Sequence, residues 1–114
     1  MKTYRVVFTP EAEEQLAELY RYIAENASAE IAFRYTDAVV GFCEGLEALP
    51  HRGTPRDDIR TGLRTTTYKR RTTVAYAVDT EQVSIIGVFH GGRDFESILR
   101  EDLELGSMES ESDL

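Results

Sequence analysis

The 114-residue chain has no tryptophan, one cysteine, two histidines and three prolines. The lone Cys43 has no intrachain disulfide partner, which fits a reducing compartment. Two isolated histidines and one cysteine show no ligand spacing, so neither a metal nor another cofactor is expected. No apolar run approaches the ~20 residues that span a bilayer, and the N-terminus lacks the basic-then-apolar pattern of a secretory signal. The expectation is a cytoplasmic protein with no membrane contact. Lysine is also scarce, Lys2 and Lys69 standing against eleven arginines.

What is present is ordinary for one globular domain: 41% hydrophobic and 30% charged residues. The net charge of −8 is unevenly spread. All 13 Lys and Arg lie before Glu101 with 15 of the 21 Asp and Glu, whereas the last 14 residues hold six acids and no base. Residues 1–103 read as the domain and 104–114 as an acidic disordered tail. Gly106-Ser107-Met108 there resembles a cloning junction, so the tail receives no functional weight. Within the body, Arg52 to Arg71 carries Arg52, Arg56, Arg60, Arg64, Lys69, Arg70 and Arg71 against Asp57 and Asp58, a local +5. Such a face can meet an anionic partner despite the overall charge.

Lys2 to Phe8 predicts a first strand, at the sheet edge or beside the last strand. Thr9-Pro10-Glu11 predicts a helix start, and Ala12, Leu16, Leu19, Tyr20 and Ile23 form its apolar stripe. A second helix begins at Ser28, with Ile31, Tyr35, Ala38, Val39, Phe42, Leu46 and Leu49 as its stripe. Gly41 and Gly45 beside that stripe predict close approach of a neighbouring backbone. Cys43 falls off the stripe and reads as a small filler rather than a nucleophile. The two helices would form an antiparallel hairpin.

Residues 51–62 read as a loop by composition. The stretch from Gly62 to Asp94 then organises the chain as three antiparallel strands. Leu63 to Tyr68 alternates weakly, and Thr72 to Val78 places Val74, Tyr76 and Val78 opposite Ala75 and Ala77. Gln82 to His90 is apolar on both sides, Val83, Ile85 and Phe89 opposing Ile86 and Val88, as in a central covered strand. Phe95 to Leu103 reads as a short final helix capped by Asp94. The fold class is α+β: strand, two-helix hairpin, three-stranded antiparallel meander and short C-terminal helix.

Three segments, FTPEAEEQLAELYRYIAE, ALPHRGTPRDDIRTGLR and VSIIGVFHGGRD, together resemble the ParE branch of the RelE/ParE superfamily of type II toxin–antitoxin toxins. The resemblance covers approximately Tyr4 to Leu99. It implies a helical hairpin on a curved antiparallel sheet, and a bacterial toxin held inactive by a cognate, ParD-like antitoxin. ParE-type members act on DNA gyrase, stabilising the state in which DNA is cut; RelE-type members cleave messenger RNA on the ribosome. A third implication is a non-toxic member serving as antitoxin-binding partner or co-repressor. Fold does not decide among them.

Cleavage through an RNA 2′-hydroxyl needs a base, a cation for the phosphate and an acid for the leaving oxygen. The candidates near the sheet are His90, Arg64, Arg71, Arg93, Tyr68 and Tyr76, with His51 weaker. His90 ends the last strand and is followed by Gly91-Gly92, which admits a substrate; the same residues are equally well explained as a turn. The superfamily's ribonucleases tend to present several basic residues, often lysines, on the sheet with an acid/base partner near the C-terminus. This chain offers two lysines, and after Arg93 it has Asp94 and Glu96 but no His or Tyr. A ParE-like mode requires no catalytic residue. In it, Arg60, Arg64, Arg71 and Arg93 with Phe95, Ile98 and Leu99 form the target face. A hairpin on one side of a sheet leaves a groove and a free strand edge for the antitoxin, with Tyr20, Tyr22 and Tyr35 as candidate contacts.

Overall fold

Thr9 converts the first strand into the first helix. In this computed structural model, which describes residues 2–91, β1 (Arg5–Phe8) ends just before it. The Thr9 hydroxyl accepts the Ala12 amide at 3.2 Å while Pro10 opens α1 (Pro10–Asn26). The Ala27 amide closes the helix on the Ile23 carbonyl at 2.7 Å. Ser28 then caps α2 (Ala29–Glu44), accepting the Ile31 amide at 3.1 Å. Two caps separated by a single residue leave no room for a longer turn, so the helices fold back as a hairpin.

Beyond the hairpin come β2 (Thr54–Pro55), β3 (Leu63–Tyr68), β4 (Thr72–Val78) and β5 (Gln82–His90). They form a five-stranded sheet in the order β1-β5-β4-β3-β2. β1 is both an edge strand and the parallel neighbour of β5, Phe8 facing Ile85 in register. The other pairings are antiparallel. The core between hairpin and sheet holds Ala12, Val39, Cys43 and Leu46 against Val74, Tyr76, Val83, Ile85 and Val88. A smaller cluster of Leu63, Ala75 and Phe89, joined by Ile59 and Ile86, occupies the opposite face.

The structure amends several expectations. The loop after Pro50 contains β2, where Pro55 suits an edge because it lacks an N–H to donate. The second helix ends at Glu44 and tightens into a 3-10 turn, Gly45–Glu47. Leu46 is therefore fully buried, but Ile31 and Leu49, at the two ends of the expected stripe, are 46% and 59% exposed. Gly41 and Gly45 have open space where a Cβ would stand, so the expected backbone approach is absent there. It occurs at Gly53 instead, where a Cβ would lie 2.6 Å from both the Thr65 carbonyl oxygen and the Tyr76 hydroxyl. Cys43 belongs to the core rather than lying off it, and burial pushes its thiol up to about 12.

The largest correction concerns β5. Tyr76 pairs with Ile85 and Ala75 with Gly87, so Ile86 is an extra residue and the register shifts there. Val83, Ile85 and Val88 consequently share the helix-covered face, while Ile86 and Phe89 share the other. Strict alternation had grouped Phe89 with Ile85 and Val88 with Ile86. The short helix expected at Phe95 to Leu103 and the acidic tail lie outside the described residues.

Candidate functional site

The shift at Ile86 turns His90 toward the helices. Register sets it opposite Thr72, which itself lies opposite Tyr68. Thr72 is fully buried, and its hydroxyl stands 2.8 Å from the Tyr35 hydroxyl and 3.0 Å from His90 Nδ1. One hydroxyl proton and two lone pairs satisfy this chain in two ways. Either Tyr35 donates to Thr72 and Thr72 to Nδ1, or Nδ1–H donates to Thr72 and Thr72 to Tyr35. The first leaves His90 Nε2 a donor and the second leaves it an acceptor.

Aromatic rings wall this chain. Tyr35 meets the His90 ring edge-on at 5.7 Å and Tyr22 lies 6.4 Å from it. Behind them Tyr35 packs on Tyr68 at 5.8 Å and Tyr68 on Phe42 at 5.2 Å. Burial, and then the positive charge of Arg71, holds His90 below its ordinary value of 6.5, so the ring is neutral at pH 7.

A groove of about 460 Å³ runs beside His90, with Gln15, Glu18, Leu19 and Tyr22 of α1 on one side and Val88, His90 and Gly91 on the other. Because β1 stops opposite Ile85, the rest of β5 runs past the groove with no strand on that flank. Helix α1 supplies the missing partners: the Thr9 hydroxyl donates to the Ile86 carbonyl at 3.3 Å, and Gln15 Oε1 accepts the Val88 amide at 2.7 Å.

Arg64 stands elsewhere. Half-buried on β3, its Nη1 donates to the carbonyls of His51 at 3.0 Å and Gly53 at 2.8 Å. The buried Tyr76 hydroxyl accepts the Gly53 amide at 3.0 Å, and burial raises its pKa against the opposing pull of that bond and of Arg64 and Arg52. Arg64 and Tyr76 thus moor the loop that precedes β2. From Arg64 to Tyr68, the β3 residue nearest His90, is four residues or ~13 Å of strand. The set His90, Arg64, Arg71 and Arg93 is therefore not one cluster: Arg71 acts on His90, Arg64 is committed to the loop, and Arg93 lies outside the described residues.

Of the other candidates, Arg60 and Arg71 are exposed, while Phe95, Ile98 and Leu99 lie outside the described residues. Tyr22 is 58% exposed and lines the groove. Tyr35 is half-buried beneath it, and Tyr20 is half-buried on α1 away from the groove lining. His51 is exposed, its ring 6.4 Å from Tyr4. Sequence reasoning missed Thr72 and Gln15, and it counted Lys69, Arg70 and Arg71 in the basic segment without placing them at the tip of the β3–β4 hairpin. At that tip Lys69 and Arg70 have φ of 51° and 60°, closed by the Arg71 amide donating to the Tyr68 carbonyl at 3.1 Å. Paired positive φ angles ordinarily select Asn-Gly, and larger side chains there cost roughly 1–2 kcal/mol per residue. Among the described residues, no group of His, Cys, Asp and Glu is placed to hold a metal ion, and no helix is long and apolar enough to cross a membrane.

No curated protein matches the sequence significantly. Solved structures do. A chain of the chromosomal ParDE toxin–antitoxin system from P. aeruginosa superposes with a TM-score of 0.69 at 19% identity, covering 78% of this chain and 97% of that one. A chain of the toxin–antitoxin complex RelBE2 from Mycobacterium tuberculosis gives 0.61 at 26% identity, covering 77% and 98%. These likenesses extend over the strand, hairpin and sheet just described. The sequence itself matches the family model of the ParE toxin of the type II toxin–antitoxin system parDE over residues 6–95, and the chain belongs to that family.

Proposed function

We propose that this type II toxin acts on DNA gyrase, as a surface-binding inhibitor that stabilises cleaved DNA, and that a ParD-like antitoxin neutralises it in the cytoplasm. Family membership supports the reading. The observation that carries it is the placement of Arg64. Arg64, one of the candidate cations for a scissile phosphate, is spent on two loop carbonyls at 3.0 and 2.8 Å, well along the sheet from His90. Exposed Arg60 and Arg71 remain for the target face, with Arg93 and Phe95, Ile98 and Leu99 proposed to complete it. The antitoxin is assigned the groove between α1 and β5, where Tyr22 is exposed and the β5 edge has no neighbouring strand.

One observation favours the alternative, ribosome-dependent cleavage of messenger RNA. His90 is neutral, beside a groove and near Arg71, as a general base requires. A gyrase assay with purified, antitoxin-free protein decides. Cleaved DNA accumulating with loss of supercoiling at near-stoichiometric toxin is the expected result. No effect from folded protein that still binds its antitoxin transfers the assignment to the ribosome.

A further inference from the structure

We propose that the β3–β4 hairpin tip, Lys69-Arg70-Arg71, is a contact for the phosphodiester backbone of duplex DNA. The inference deepens the gyrase reading and rests on it for its biological setting, but the contact itself is argued from the tip. Three consecutive cations are exposed there. Among the described residues, none of the three has a carboxylate within ion-pair distance, whereas Arg34 and Arg56 each have one. Lys69 and Arg70 occupy the two central positions of a tight turn whose positive φ angles suit Asn-Gly far better. Local backbone preference therefore does not account for these two residues, and their charge is what the position retains.

The neighbourhood selects the partner. A single-stranded nucleic acid is usually gripped by aromatic rings that stack on its bases. Here the rings beside the tip already have partners: Tyr68 packs on Tyr35 and Phe42, and Lys69 Nζ lies 5.5 Å from the Tyr68 centroid. What remains is positive charge without a stacking platform, the chemistry of sequence-independent backbone contact. Arginine suits it because its planar fork pairs two phosphate oxygens at once. The rest of the molecule orients the approach. Glu11, Glu13, Glu14, Glu18 and Glu25 are all exposed along α1, so that helix repels a polyanion that the tip attracts.

The test is fluorescence anisotropy of the full chain, free of antitoxin, with a labelled 25-base-pair duplex of arbitrary sequence between 50 and 200 mM salt. Three phosphate contacts predict a slope of log K against log salt near −2.7, about forty-fold weaker binding across that range. The variant Lys69→Asn/Arg70→Gly installs the turn-favoured pair and so keeps the fold. It is expected to flatten the slope by about 1.8 and leave only about a three- to four-fold salt effect. Absence of duplex binding at 50 mM salt by folded protein overturns the proposal. So does an unchanged affinity and slope in the variant, or tighter, salt-insensitive binding of single-stranded RNA of equal length. Gyrase plays no part in this assay. Inhibition of gyrase that persists undiminished in a variant unable to bind duplex overturns the role of the tip alone, and leaves the gyrase reading standing.

Discussion

His90 Nδ1 lies 3.0 Å from the hydroxyl of Thr72, eighteen residues away in sequence, and this contact ties the end of β5 to the start of β4 beneath both helices. Thr72 also meets the Tyr35 hydroxyl at 2.8 Å, so one buried oxygen joins the sheet to α2 and holds the imidazole at the groove wall. No apolar residue at position 72 satisfies both neighbours.

Replacing Thr72 by Val keeps the shape and removes both bonds. Two lost hydrogen bonds, with Tyr35 and His90 left wanting partners, are expected to cost about 2 kcal/mol, and Tyr35→Phe about 1 kcal/mol. The double variant should fall short of the sum, because the two substitutions share a bond. Urea denaturation of the three variants measures this; a Thr72→Val protein within 0.5 kcal/mol of the parent, roughly the level of a neutral surface change, contradicts the hub.

The pH dependence follows from the direction of the His90 shift. The folded-state pKa is below the ordinary 6.5, so in the interval between them the unfolded chain binds a proton that the folded chain does not. Its contribution to stability is fully present above 6.5 and is lost as pH falls through the folded value. Arg71 opposes protonation, and Glu18 is an acid lining the same groove. Thermal denaturation between pH 8 and 5 should show stability declining below about 6.5, and His90→Gln should flatten that decline.

Cys43 should be inert while the protein is folded. Its thiol is fully buried and pushed up to about 12 from 9.0, which lowers the thiolate fraction roughly a thousandfold before access is considered. Iodoacetamide at pH 7.5 is expected to label it only in denaturant. Rapid labelling of native protein, followed by mass spectrometry, is the result that speaks against this packing.

The hairpin tip should be a place where stability rises on mutation. Asn and Gly at positions 69 and 70 are expected to gain about 1–2 kcal/mol, since Gly removes the penalty of the positive φ at one position and Asn lessens it at the other. The higher melting temperature is to be read in the same preparation used for DNA binding. A loss of stability instead means that the charged side chains hold the turn through packing.

Much of the architecture was legible because it is written locally. Thr9-Pro10 and Ser28 announce helix starts through their own capping chemistry, and the alternation of Val74, Tyr76 and Val78 against Ala75 marks β4. The candidate site was legible in part. His90 stood out by residue type and Gly91 by its turn, φ 76°, but their surroundings did not. Thr72 resembles any strand threonine, and Gln15 any polar residue on a helix. Nothing in the local pattern shows that one serves two hydroxyl and imidazole partners and the other a backbone amide 73 residues away.

Caps, periodicity and charge are properties of short windows, and they alone suffice for the strand, hairpin and meander, the family resemblance and the basic segment from Arg52 to Arg71. The tertiary structure decided which way His90 faces and where Arg64 spends its charge. β5 is apolar on both sides, so its pattern is equally compatible with either phase. The unpaired Ile86 chooses between them only when Tyr76 and Ala75 are in place across the sheet. Arg64 finds its carbonyls only when the loop at Gly53 closes against Thr65 and Tyr76.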